Sequence, residues 1–253
     1  MKFSANLGFL WNDRPLPDAI RAAREAGFDA VECHWPYDTP HAETLQALAE
    51  TGLHMLGLNT RRGNPGENGL SALPEREAEA FAAIDEALAY AKATGTEAVH
   101  VMAGNSSGPR ARAAFVSALT HACDRADGIT ILIEPLNPHN APGYYLNSTG
   151  LAADIIREVA RPNLKLMFDC YHVQIIEGDV TRRLASLLPL IGHIQIASVP
   201  DRGTPDHGEL DYGYVLTRIA ELGWTNPIGA EYLAPPNPDM SWLARTRHAL
   251  NQR

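Results

Sequence analysis

Cysteine is scarce: Cys33, Cys123 and Cys170 are the only three in 253 residues, and no two form a CxxC pair. An odd, unpatterned set points to reduced thiols and a cytoplasmic address. Cys170 reads as a small buried hydrophobe before it reads as a catalytic thiol. Positive charge is also short, with 21 Lys and Arg against 30 Asp and Glu, a net of −9. That disfavours general binding to nucleic acid or anionic membranes and leaves room for a local basic pocket. No apolar run approaches the roughly 18–20 residues of a membrane span. The opening Met1-Lys2-Phe3 is interrupted by Ser4, Asn6, Asn12 and Asp13, and no small-residue cleavage site follows. It reads as a first strand, not a signal peptide. Neither GxGxxG nor GxxxxGK[ST] follows that strand, which argues against dinucleotide and P-loop folds.

What is present is a regular alternation of strand and helix signals. Strands are expected at about 3–6, 30–33, 54–58, 98–102, 129–135, 164–168, 193–196 and 227–230. Between them fall helices that end at Gly27, Gly52, Gly95, Pro189 and Gly223. A polar loop with Gly63, Pro65, Gly66 and Gly69 is the longest of the first half and a candidate lid. Eight β/α units without a linker or low-complexity segment fit one α/β domain over residues 1–253, a single (β/α)8 TIM barrel. A doubly wound open sheet is the alternative.

The most informative stretch is Ile129–Pro135. It is short, apolar and β-branched, as a buried strand would be, and it ends in Glu134 and a proline. The proline stops the ladder, so Glu134 sits at the strand's C-terminal mouth. Three later strands repeat the layout: Leu164–Phe168 leads to Asp169, His193–Ile196 carries Gln195, and Pro227–Ala230 leads to Glu231. Alone, each residue could cap a helix or anchor a loop. Four oxygen-bearing side chains at the same end of four successive strands read as one metal site, at the end of a barrel where sites lie. The oxygen-only donor set suits Mg²⁺ or Mn²⁺ better than Zn²⁺.

The segments Ile-Glu-Pro-Leu-Asn (133–137), Phe-Asp-Cys-Tyr-His-Val-Gln (168–174), His-Ile-Gln-Ile-Ala (193–197) and Gly-Ala-Glu-Tyr (229–232) resemble the hydroxypyruvate isomerases, members of the xylose-isomerase-like TIM barrels. Residues 4–11, 32–37, 58–63, 99–104 and 200–203 extend the resemblance over nearly the whole chain. It implies metal ligands at Glu134, Asp169, Gln195 and Glu231, with the two glutamates as acid and base. The related ketose epimerases carry a histidine where Gln195 stands, so the chain leans toward the isomerases. The segment Leu233–Met240 before Trp242 is shorter than the family leads one to expect, which bears on how the mouth closes and on subunit contacts.

The implied reaction is an aldose–ketose shift, moving a proton between adjacent carbons through an enediolate whose charge a divalent metal spreads. For hydroxypyruvate the product is tartronate semialdehyde. The substrate's carboxylate needs a cationic or hydrogen-bonding partner. Arg202 is the first candidate, and Arg61 and His100 follow. His172, three residues past Asp169, is expected to face the substrate, and His34, Trp35 and Trp11 to shield the mouth or cap the barrel. The partner is then a small sugar acid, not nucleic acid or membrane, with a homo-oligomer left open. A 2-oxo-tetronate isomerase is the near alternative. An endonuclease of the wider superfamily would need more metal ligands and a basic groove. A non-catalytic sugar-acid binder would not need opposed glutamates.

Overall fold

Prolines and glycines set the ends of the helices. Pro15 and Pro17 open α1 (Leu16–Glu25), and Pro40 opens α2 (His41–Thr51). Gly52 and Gly95 take left-handed backbone, φ 67° and 69°, to close α2 and α3 (Glu77–Thr94), where a side chain would be strained. The chain continues through α4 (Gly108–Arg125) to α5 (Thr149–Val159), whose cap Ser148 accepts from the Leu151 N–H at 3.2 Å. Next come α6 (Cys170–Ile176), α7 (Val180–Leu187), α8 (Tyr212–Glu221) and α9 (Ser241–Asn251). The structure, a computed structural model, describes residues 1–251. None of its helices is long and apolar enough to cross a membrane.

The strands are β1 (Phe3–Asn6), β2 (Ala30–Glu32), β3 (His54–Met55), β4 (Leu58–Asn59), β5 (Ala98–His100), β6 (Thr130–Ile133), β7 (Leu164–Asp169), β8 (Ile191–Ile196) and β9 (Ile228–Ala230). All pairings are parallel, in the order β3-β2-β1-β9-β8-β7-β6-β5-β4. The two ends of that order are consecutive pieces of chain, because the expected strand 54–58 breaks at Leu56-Gly57. Its first piece pairs with β2 and its second with β5. The Leu56 N–H donates to Val31 and the Thr60 N–H to His100, so the ladder turns the corner and the barrel nearly closes. The resulting nine-stranded parallel barrel with surrounding helices is the TIM-barrel architecture.

Strand alternation decides what faces the axis. Phe3, Ala5, Val31, Val99, Ile131, Ile133, Leu166, Phe168, Ile194 and Ile196 belong to the main core, between sheet and helices. Their in-between neighbours point inward. Ala98, Leu132 and Met167 form a small apolar plug inside the barrel. Above it the interior is polar: Asn6, Glu32, His100, Glu134, His193, Gln195 and Glu231 line one inner chamber. Barrel interiors are more often filled by branched apolar side chains, so a polar interior marks where function displaced packing.

Besides the split strand, β5 stops at His100 and β6 at Ile133, short of the expected 102 and 135, and two further elements depart from the sequence reading. α6 has no counterpart in the sequence reading, since its seven residues are too short to show helical periodicity. It starts directly at the end of β7, where the Asp169 Oδ1 accepts from the Tyr171 N–H at 2.8 Å and caps it. β8 begins at Ile191, two residues before the expected 193.

Candidate active site at the C-terminal mouth of the barrel

The mouth opens into a cavity of about 320 Å³ walled by Phe9, His34, Trp35, Arg62, Asn68, His100, Glu134, His172, Arg202 and Glu231, among others. A cavity of about 380 Å³ lies at the opposite end, around Lys2, Asp29, His54 and Glu97. The unsatisfied polar atoms decide between them. Among the described residues six side-chain atoms are buried without a hydrogen-bond partner: Glu134 Oε1, Asp169 Oδ2, Gln195 Oε1, His100 Nε2 and Arg202 Nε gather at the mouth or in the chamber beneath it, and Trp224 Nε1 alone lies elsewhere. Such atoms are costly unless something else binds there.

Glu134, Asp169, His172 and Glu231 each offer a ligand atom, and these atoms lie within 4.8 Å of one another. They form a buried cluster able to hold a metal ion. Burial, with Glu231 and Asp169 nearby, pushes the Glu134 carboxyl well above the usual range. Burial and then Glu231 push Asp169 up to about 7. Glu231 goes the other way. Burial opposes its charge, but Arg202 Nη2 at 2.5 Å and the His34 N–H at 3.3 Å outweigh that and hold it at about 2. Asn6 Nδ2 at 2.8 Å and Gln195 Nε2 at 3.3 Å also donate to Glu231 Oε1.

His172 is brought in by α6. Its Nδ1 accepts from both the backbone and side-chain nitrogens of Asn137, each at 2.9 Å. Burial, then Arg202, hold the imidazole at about 3, so the ring is neutral. A neutral ring that accepts at Nδ1 carries its hydrogen on Nε2. That N–H points at Asp169 Oδ2, 3.7 Å away, and Glu134 Oε1, 3.9 Å away. In this tautomer His172 is a donor to the site and not a metal ligand. His100 Nδ1 lies 3.7 Å from Glu134 Oε2, and burial lowers its pKa to about 4.

Arg202 reaches the mouth with its guanidinium over the rings of Phe9 and Tyr171, at 4.5 and 4.9 Å. Its first partner there is Glu231, with Asp169 Oδ2 at 3.8 Å. His34 reaches it because position 8 is glycine: a Cβ there would stand 2.1 Å from the ring. Trp35 lines the cavity, whereas Trp11 packs edge-on against Phe28 in the core. Cys170 is fully buried, and burial pushes its thiol well above the usual range, which suits packing.

Arg61 is not brought to the mouth. It is half-exposed and forked onto Glu86 of α3 at 2.6 and 3.0 Å. Its neighbour Arg62 turns inward instead, over the Trp35 ring, held by the Glu67 carbonyl at 2.8 Å and Asn68 Oδ1 at 3.0 Å. The loop carrying it is pinned, with Gly69 paired to Ala103 and Glu67 bridged to Arg76. Sequence reasoning passed over Arg62, Asn6, Glu32 and Asn137. The one available signal was parity: Asn6 and Glu32 alternate with apolar neighbours in short strands, as Gln195 does.

A family model described as xylose isomerase-like TIM barrel matches residues 20–251. The chain belongs to the xylose isomerase-like TIM barrel family. Within it, the chain is 42% identical over 252 residues to a 2-oxo-tetronate isomerase of Cupriavidus necator, covering 96% of this chain and 97% of that protein. It is 39% identical over 263 residues to a Mus musculus protein named as a candidate hydroxypyruvate isomerase, covering 96% and 94%. Among solved structures, one from Brucella melitensis described as an AP endonuclease, family 2, superposes with a TM-score of 0.91 at 36% identity, covering 96% and 98%.

Proposed function

We propose that the protein is a metal-dependent aldose–ketose isomerase of small 2-oxo sugar acids, interconverting hydroxypyruvate and tartronate semialdehyde. The observation that carries the reading is the trio of buried, unpartnered oxygens on Glu134, Asp169 and Gln195, set against a glutamate of opposite protonation preference. The donor set fits a divalent cation. Glu134, Asp169, Gln195 and Glu231 would hold it, and as oxygen donors they favour Mg²⁺ or Mn²⁺. When bound, the cation supplies positive charge to the substrate oxygens on which the enediolate's charge develops.

The chain's own residues do the rest. Glu231, kept ionised by Arg202, takes the carbon-bound proton, and Glu134 returns one at the adjacent carbon. In the reverse direction they exchange roles. A carboxyl held low near one held high is a common arrangement for acid–base pairs. The His172 Nε2–H donates to a substrate oxygen. Phe9, Trp35 and Tyr171 exclude water from the reacting carbons. The substrate carboxylate goes to Arg62. Of the two guanidinium groups in the cavity wall, Arg202 is committed to Glu231, while Arg62 bonds only to neutral oxygens among the described residues.

A four-carbon 2-oxo-tetronate is the second reading, favoured by the 42% identical relative and by a cavity roomier than a three-carbon acid needs. The endonuclease name of the Brucella structure finds less support, because the net charge is −9 and the cavity wall sets Arg62 and Arg202 among the Glu134 and Glu231 carboxylates instead of forming a basic groove. The test is a substrate panel of hydroxypyruvate, tartronate semialdehyde and 2-oxo-tetronates, run in D₂O with Mg²⁺ or Mn²⁺. Turnover that needs the added ion and carries solvent deuterium into the product is expected. Full activity in metal-free protein, or complete retention of substrate hydrogen together with near-normal Glu→Gln variants, would overturn the reading.

A further inference from the structure

Beneath the mouth, three buried side chains from two strands meet inside the barrel: Glu32 at the end of β2, and His193 and Gln195 on β8. Glu32 Oε2 accepts from Gln195 Nε2 at 3.0 Å and lies 2.9 Å from His193 Nε2. Glu32 Oε1 accepts from the Ser4 hydroxyl at 3.1 Å. The second hydrogen of the Gln195 amide goes to Glu231 Oε1 at 3.3 Å.

The chemistry of these partners makes the arrangement one-way. An amide carries two donors on its nitrogen and acceptors only on its oxygen, and its two ends have nearly the same shape. A carboxylate only accepts. With carboxylates as both of its partners, the amide nitrogen must face them and the oxygen must turn away. That oxygen is buried and has no partner among the described residues. A flipped amide would present N–H hydrogens where a cation needs lone pairs.

We infer that Glu32 is a positioning residue: it fixes the Gln195 amide so that Oε1 stands free as an acceptor for the cation of the mouth. The inference rests on the metal-dependent reading above and adds a residue that touches neither cation nor substrate. The neighbouring strand is shaped around the trio. A Cβ on Gly229 would stand 2.2 Å from Glu32 Oε1, 2.7 Å from Gln195 Cγ and 2.9 Å from His193 Nε2. Gly229 therefore answers to this cluster and not to any turn.

The test is Mn²⁺ binding by calorimetry on the full chain, independent of turnover. In Glu32→Gln the new amide can donate as well as accept, so the Gln195 amide loses the shorter of its two one-way partners and is held only by the 3.3 Å bond to Glu231. The Mn²⁺ Kd is expected to rise about 10–100-fold, the usual effect of removing a group that orients a ligand. In a Gln195→Ala background the same change is expected to alter Kd by less than about twofold, because Glu32 acts through that amide. Thermal melts confirm that each variant is folded. Should Glu32→Gln not fold, Glu32→Asp, which keeps the charge but withdraws the acceptor, is read in the same cycle. An unchanged Kd in the single variant, or an equal loss with and without Gln195, overturns the role of Glu32. Failure of the unaltered protein to bind Mn²⁺ overturns the metal reading instead.

Discussion

Glu134 and Glu231 look into the same cavity from unlike walls. The wall behind Glu231, built from β9, β8, β1 and the segment after β2, brings a guanidinium, two amide nitrogens and a histidine N–H to one carboxylate. The wall behind Glu134, built from β5, β6 and α6, offers two neutral histidines at 3.7 and 3.9 Å and leaves one oxygen bare. Identical side chains are thereby given opposite protonation preferences by what neighbours them, not by depth, since both are buried. The donor-rich wall is made to keep a charge and the donor-poor wall to receive one.

The largest test of that asymmetry is to remove each charge while keeping its shape. Glu231→Gln and Glu134→Gln should each retain Mn²⁺ binding yet lose about 10²–10⁴-fold in kcat. A variant that keeps near-full kcat would remove its glutamate from proton transfer. Next is the guanidinium that separates the walls. Arg202→Met should release Glu231 upward, moving the acid limb of the kcat/KM profile to higher pH by about 1–3 units. An unmoved limb would mean that another group holds Glu231 low.

A smaller effect is expected at the rim. Arg62→Met should raise KM for carboxylate substrates about 10–100-fold, as loss of a charge-assisted hydrogen bond would, and barely change KM for neutral ketoses. Equal effects on both classes would return the anchoring role to Arg202. The smallest effect is thermal. Asp169 is pushed up to about 7 in the fold, so between its unfolded value near 4 and pH 7 the unfolded chain binds fewer protons. The metal-free protein should therefore lose stability as pH rises through that window. Mn²⁺, which needs the ionised carboxylates, should raise Tm by a few degrees more at pH 8 than at pH 5.5. Equal gains at both pH values would contradict the raised Asp169.

The barrel and the donor-poor wall were the legible parts. Glycine stops and apolar strands announced the β/α alternation, and Glu134 and Asp169 stood out as acids closing apolar strands. The donor-rich wall was less legible because its bonds join distant positions. Asn6 and Glu231 are 225 residues apart, and Glu32 and His193 are 161 apart, and no local pattern couples them. Arg61 and Arg62 illustrate a second limit. In a loop no fixed period says which of two adjacent side chains turns inward, and the one that does is set by the Trp35 face and by Asn68. The helix after Asp169 was hidden by its brevity, although it carries His172 to the site.

The strand alternation that turns Asn6, Glu32, Glu134, Asp169 and Gln195 inward also limits how such a chain can change its length. One residue inserted within β8 ahead of Gln195 would swing that amide out among the helices and drive Ile194 into the polar chamber, undoing site and core together. The segment Leu233–Met240 has no such parity to keep, because it leaves β9 after Glu231 and runs outside any strand. Deletions can accumulate there while the strand interiors stay at constant length. Length variation among relatives is therefore expected to fall in this segment and in the loops, and engineered insertions should be survivable there and lethal inside β6–β9.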